Sequence, residues 1–294
     1  MSIHLTNSIA KIEISPSLGG AILAYDAKIN GQFFPILRNC SNAKSVLESS
    51  CFPLVPYSNR IKHGQFNWQE KQINLPLNHL PEKHSIHGHG WQIAWEIAHQ
   101  TDTSLTLQYD YQTAEWPFSY SAQQVFTLQG SALNIELSVT NTSSNLMPAG
   151  LGLHPYFSLT DKTSIKCCVD KMWEVDDECM PIKLVNAPTA LSDSKGLSLP
   201  GSQLDNVFTG FTGAATITWP EWQARANITT SSNCKFMVIY SPDAEDFFCF
   251  EPVTHCTDAI NMTSSGIKDT GINYLKPQEI MTVSMQISAE GIEA

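Results

Sequence analysis

Phe248-Cys249-Phe250-Glu251-Pro252-Val253-Thr254 places an acid at the mouth of an apolar strand. Just upstream, the chain reads as two strands joined by a turn: Phe236 to Tyr240, then Ser241-Pro242-Asp243, then Phe247 to Phe250. Pro252 has no N–H for a sheet ladder, so regular pairing is expected to stop there. That leaves Glu251 on a stiff strand end within reach of a small molecule. The plain alternative is a solvated Glu, and only the rest of the chain decides between the two.

Outward from this stretch, hydrophobic alternation at period two recurs and sustained helical periodicity is nearly absent. Strands are expected over residues 10–14, 21–25, 33–37, 104–111, 123–128, 133–139, 164–169, 215–219, 225–229 and 280–287. Residues 65–76 read as a hairpin, 91–98 as a strand, 42–49 as a short helix and 181–201 as a loop or insertion. Many short strands with frequent turns predict an all-β chain, and there are more of them than a seven-strand immunoglobulin-like unit holds. The expected architecture is one large antiparallel β-sandwich domain over residues 1–294.

Composition narrows the function. The 294 residues are enough to bury a sizeable core. Seventeen Lys+Arg against 28 Asp+Glu give a net charge of -11, the wrong sign for nucleic acid. The start, Met1-Ser2-Ile3-His4-Leu5-Thr6, has no basic segment followed by an apolar run, so no signal peptide is expected. No apolar stretch is long enough for a membrane helix. The eight cysteines form no Cys-x-x-Cys pair, which points to a reduced, cytoplasmic protein.

The histidines are the sharpest chemical signal. His84, His87 and His89 crowd into His84-Ser85-Ile86-His87-Gly88-His89-Gly90-Trp91. On a strand, His87 and His89 would share a face, which raises metal ligation. A cupin-like site would want a Glu soon after the pair, where Gln92, Ile93 and Ala94 stand instead, and Gly88 and Gly90 suggest a loop. No metal is therefore expected. His154 lies in Gly150-Leu151-Gly152-Leu153-His154-Pro155-Tyr156-Phe157, where the glycines would let another group approach the backbone. Arg60, one of only three arginines, sits in Tyr57-Ser58-Asn59-Arg60-Ile61, and Asp205 opens Asp205-Asn206-Val207-Phe208. Each has a bland reading: a core histidine, a surface ion pair, a turn residue. No nucleophile elbow, P-loop or dinucleotide fingerprint occurs.

Taken in order, Asn59-Arg60-Ile61, Ile86-His87-Gly88, Gly152-Leu153-His154-Pro155-Tyr156-Phe157, Leu204-Asp205-Asn206-Val207-Phe208 and Glu251-Pro252-Val253-Thr254 resemble the aldose 1-epimerases, the galactose mutarotase-like family. The resemblance implies a supersandwich fold and cofactor-free interconversion of the α and β anomers of a free hexose. It implies Glu251 as base and His154 as the acid that protonates the ring oxygen. His87, Arg60, Asp205 and the adjacent Asn59 would then bind the sugar. The Gly88-His89-Gly90 run departs from the family's double-glycine form, and His84 and His89 match no family role. Acid and base are expected on opposite sides of one pocket, with Trp91 and Phe208 as core. Two alternatives share the fold: a hexose-6-phosphate 1-epimerase, which would want several Arg or Lys near the pocket, and a non-catalytic carbohydrate-binding protein. A metal-dependent cupin-like oxygenase is a third.

Overall fold

In the computed structural model, which describes residues 2–292, antiparallel strands account for about half of the residues and for most of the regular structure. Among the described residues they form an 11-stranded sheet, a nine-stranded sheet and three two-stranded ladders. No helix among them is long and apolar enough to cross a membrane.

The nine-stranded sheet obeys the period-two rule. Along Ala132–Asn141 burial alternates, and Leu133, Ile135, Leu137 and Val139 are at most 1% exposed. One face is apolar and covered and the other is wetted, as expected for an antiparallel sheet with a single core. The two sheets are tied across that core: the Trp219 indole N–H donates to the Ser158 carbonyl (2.7 Å), and the Tyr25 hydroxyl to that of Ile287 (3.3 Å).

Five strands of the 11-stranded sheet position the site: β1 (Cys51–Leu54), β2 (Gly152–Ser158), β3 (Asp205–Thr209), β4 (Phe236–Tyr240) and β5 (Phe247–Val253). Their lateral order is β2-β5-β4-β3, with β1 pairing β2. Strand β2 is buried at every position and β5 at all but its first, so both faces are covered. Phe248 and Phe250 enter the core between the sheets, while Cys249 and Val253 pack in a second cluster on the other face. Burying each such Phe stabilises the fold by roughly 1.5–3 kcal/mol. Loops cover the second face, and there the alternation places Glu251.

Several expectations are corrected. Glu251 is not at a strand end and is only 4% exposed. Pairing of β5 with β4 continues through Met237↔Pro252 to Phe236↔Val253. Only the β2 side is interrupted: it pairs at Gly152↔Val253 and resumes at Tyr156↔Cys249, and between these lie Pro155 and Pro252, neither with an N–H to give. Residues 181–201 are not a loop. Pro181–Asn186 is an edge strand on Lys171–Val175, and Leu197–Ser198 pairs with Ser164 and Ile165. An edge tolerates its Pro and Lys. Residues 91–98 begin as a 3-10 turn because the Trp91 and Trp95 indoles bond back to the carbonyls of Gly88 and Gly90, and the strand starts only at Glu96. The expected helix over 42–49 is a single 3-10 turn, Val46–Glu48. A six-residue helix, Ala259–Ser264, was not expected; it is too short to show periodicity.

Candidate active site

On the loop-covered face lies a cavity of about 340 Å³ whose wall includes Asn59, Arg60, His87, His154, Asp205 and Glu251. The sheet register explains how distant residues meet. Continuing β2–β5 pairing between its two anchoring pairs sets His154 opposite Glu251, which is opposite Val238, itself opposite Val207. The neighbouring row runs Tyr156, Cys249, Tyr240, Asp205. Asp205 is thus two strand spacings, roughly 10 Å, from the strand of Glu251.

His154 Nε2 is 3.4 Å from Glu251 Oε1. The two stand side by side on adjacent strands, not on opposite sides of the pocket as expected, because cross-strand neighbours project from one face. The imidazole is clamped between Phe52 (centroids 4.5 Å apart, 27° between planes) and Tyr156 (4.8 Å, 20°). Beyond Tyr156 the Arg38 guanidinium lies 3.7 Å from the ring centroid, held by the carbonyls of Ser49 and Leu47. Burial pushes the Glu251 carboxyl well above its ordinary range, with Asp205 adding to the rise. Burial likewise pushes His154 down, with Arg38 adding to the fall. Both directions favour a pair that carries one proton and no net charge. Moving that proton from carboxyl to imidazole creates a base and an acid without drawing on solvent.

The two cavity-wall segments carrying Asn59 and His87 are set by left-handed backbone. Asn59 (φ 56°) and His87 (φ 60°) adopt left-handed conformations uncommon for residues other than glycine. Those turns exchange two bonds: the Asn59 N–H donates to His87 Nδ1 (3.0 Å), and the His87 N–H to the Asn59 carbonyl (3.0 Å). With Nδ1 an acceptor, His87 carries its hydrogen on Nε2 and serves as a neutral donor. Burial, with His154 next, holds its pKa well below the ordinary value. We expect ¹⁵N NMR of His87 to show a neutral Nε2–H imidazole unchanged from pH 8 to pH 5.5; an Nδ1–H signature would overturn this tautomer. Arg60 gives its Nε–H to Glu82 (2.6 Å), and Asp205 accepts from the Cys179 thiol (3.3 Å).

Other expectations divide. His89 does not share a face with His87; it stacks on Tyr111 at 4.7 Å and is outside the cavity wall. His84 is fully buried elsewhere, its Nδ1 accepting the His63 N–H and its Nε2 3.3 Å from Glu178. Phe208 and Trp91 both belong to buried apolar clusters as expected, and Trp91 also edges the cavity. Sequence reasoning missed Glu82, Tyr156, Arg38 and His255. The scarcity of arginine singled out Arg38 no less than Arg60. His255 directly follows the Glu251 motif; its Nε2 accepts the Ser58 N–H (3.1 Å) and its Nδ1 bonds the Cys256 carbonyl (2.8 Å). The ring fills the space above Gly150, where an added Cβ would lie 1.9 Å from it.

A two-sheet antiparallel supersandwich with an imidazole and a carboxylate in a sugar-sized cavity is a mutarotase-type architecture. The aldose 1-epimerase family model matches residues 1–288, and the chain belongs to that family. It is 30% identical over 264 residues to the uncharacterized protein YphB of Escherichia coli K12, covering 87% of this chain and 89% of that one. A crystal structure from E. coli K12, described as a candidate aldose 1-epimerase, superimposes with a TM-score of 0.90 at 28% identity, over 99% of both chains. A galactose mutarotase-like protein of Clostridium acetobutylicum shares the fold at 19% identity (TM-score 0.85, 99% of this chain and 95% of that one).

Proposed function

We propose that the chain is an aldose 1-epimerase that interconverts the anomers of a free hexose in the cytoplasm. The observation that carries this reading is the 3.4 Å separation of His154 Nε2 and Glu251 Oε1 at the wall of a sugar-sized cavity. The anomeric hydroxyl and the ring oxygen are both bonded to C1, so a base and an acid that serve them must stand side by side. Glu251 takes the hydroxyl proton as His154 gives one to the ring oxygen. The ring opens, the C1–C2 bond turns, and the ring recloses on the other face of C1. Arg60, Asp205, Asn59 and the Nε2–H of His87 hold the hydroxyls, which adds orientation rather than proton transfer. A protein that only held sugar would gain nothing from two buried ionisable groups, whose desolvation is costly.

The cavity wall favours a neutral sugar. Its one guanidinium, Arg60, is already engaged by Glu82, and Asp205 and Glu251 add further acids. A sugar phosphate would meet no unpaired arginine there. All eight cysteines are free, which fits a reducing compartment. The test is NMR exchange between anomers, with glucose, galactose and their 6-phosphates run side by side. Fast exchange of a free hexose supports the reading; exchange confined to the phosphates, or none above the spontaneous rate, defeats it. Glu82→Gln should raise KM for the free sugar and lower it for the 6-phosphate, since the guanidinium is released to an anion.

A further inference from the structure

The pocket face of the sheet brings together three metal-binding side chains, only two of which the isomerase reading uses. Cys249 and Glu251 are two apart on β5 and so share a face. His154 stands opposite Glu251 and diagonal to Cys249. One ligand atom from each of the three lies within 4.8 Å of the others, and all three residues are buried. Cys249 is 0% exposed, and burial, with Glu251 adding to it, keeps the sulfur a thiol. No step of anomer exchange calls on it.

Thiolate, imidazole and carboxylate are the donors of open zinc sites, which take three protein ligands and leave a fourth position free. Two of the three, His154 and Glu251, line the cavity. The sulfur selects against Mg²⁺ and Ca²⁺, which require oxygen ligands. The rigid centre of the sheet pre-sets the ligands, so little ordering is needed on binding. We infer that Cys249, His154 and Glu251 bind a thiophilic divalent cation, Zn²⁺ foremost, and that an occupied site is catalytically silent. Binding displaces the thiol proton and the single proton shared by His154 and Glu251. Two protons leave, and a dication with two anionic ligands leaves the site uncharged. The ion then occupies the Nε2 lone pair and the carboxylate that proton transfer needs. The silencing clause rests on the isomerase reading; the binding clause does not.

The experiment is a Co²⁺ titration of the chelator-stripped full chain, followed by absorption. One equivalent should produce a thiolate-to-cobalt charge-transfer band that Zn²⁺ bleaches. Cys249→Ser and His154→Asn, each checked as folded by circular dichroism, should weaken binding by at least the roughly 10–100-fold that losing even an outer-shell partner costs. Cys179→Ser, at the nearby Asp205, should leave the band intact. In the exchange assay Zn²⁺ should inhibit and EDTA restore. Absence of the band, or its survival in Cys249→Ser, overturns the site. A band in a chain that exchanges no sugar would sink the isomerase reading and leave the site standing, while exchange without a band does the reverse.

Discussion

Glu251→Gln is expected to slow anomer exchange by on the order of 10²–10⁴-fold, the span typical of a positioned proton acceptor. His154→Asn should fall as far. The Gln amide keeps the volume and contacts of β5 but cannot accept the hydroxyl proton. Asn keeps a polar group between Phe52 and Tyr156 but cannot return one. Because the two side chains stand 3.4 Å apart and serve the two halves of one proton exchange, they act as a unit and the double variant should be little worse than either single. Thermal unfolding should move far less than the rate, since the fold's large apolar clusters are untouched. Exchange rates within a few-fold of the parent in either single variant would remove these residues from the chemistry.

Gly150→Ala is expected to destabilise the fold beside the site. The new Cβ would fall 1.9 Å from Cδ2 and 2.3 Å from Nε2 of His255, a ring that cannot retreat because it is buried and bonded at both nitrogens. Overpacking of this kind costs about 1–3 kcal/mol. Pushing the ring away also strands the buried Ser58 N–H, a further loss of about 1–3 kcal/mol. A fall in Tm of roughly 3–10 °C follows for a chain of this size. Ser58 leads into Asn59 and Arg60, so KM should rise with kcat less affected. A Tm within a degree or two of the parent would mean that His255 has room to move and does not brace the segment carrying Asn59.

Much of this protein is legible along the chain because strands announce themselves locally. Period-two alternation gives the all-β class, and it also assigns faces: Phe248 and Phe250 to the core, Cys249 and Glu251 to the opposite side. Five short motifs carry the residue types that ring opening needs, and all six candidate residues line one cavity. What periodicity cannot supply is register and coverage. Pro252 looks like a strand terminator, yet β4 holds its partner beyond it, so Glu251 is a buried mid-strand acid instead of an exposed end. His154 and Glu251 are nearly a hundred residues apart, and only the pairing of β2 with β5 makes them adjacent rather than opposed. The tautomer of His87, the capture of Arg60 by Glu82 and the placing of Cys249 beside the acid–base pair likewise depend on contacts between remote segments. Local pattern chooses elements and faces; which side chains then share a proton, a charge or a metal ion is decided by strand register and by what the loops bury.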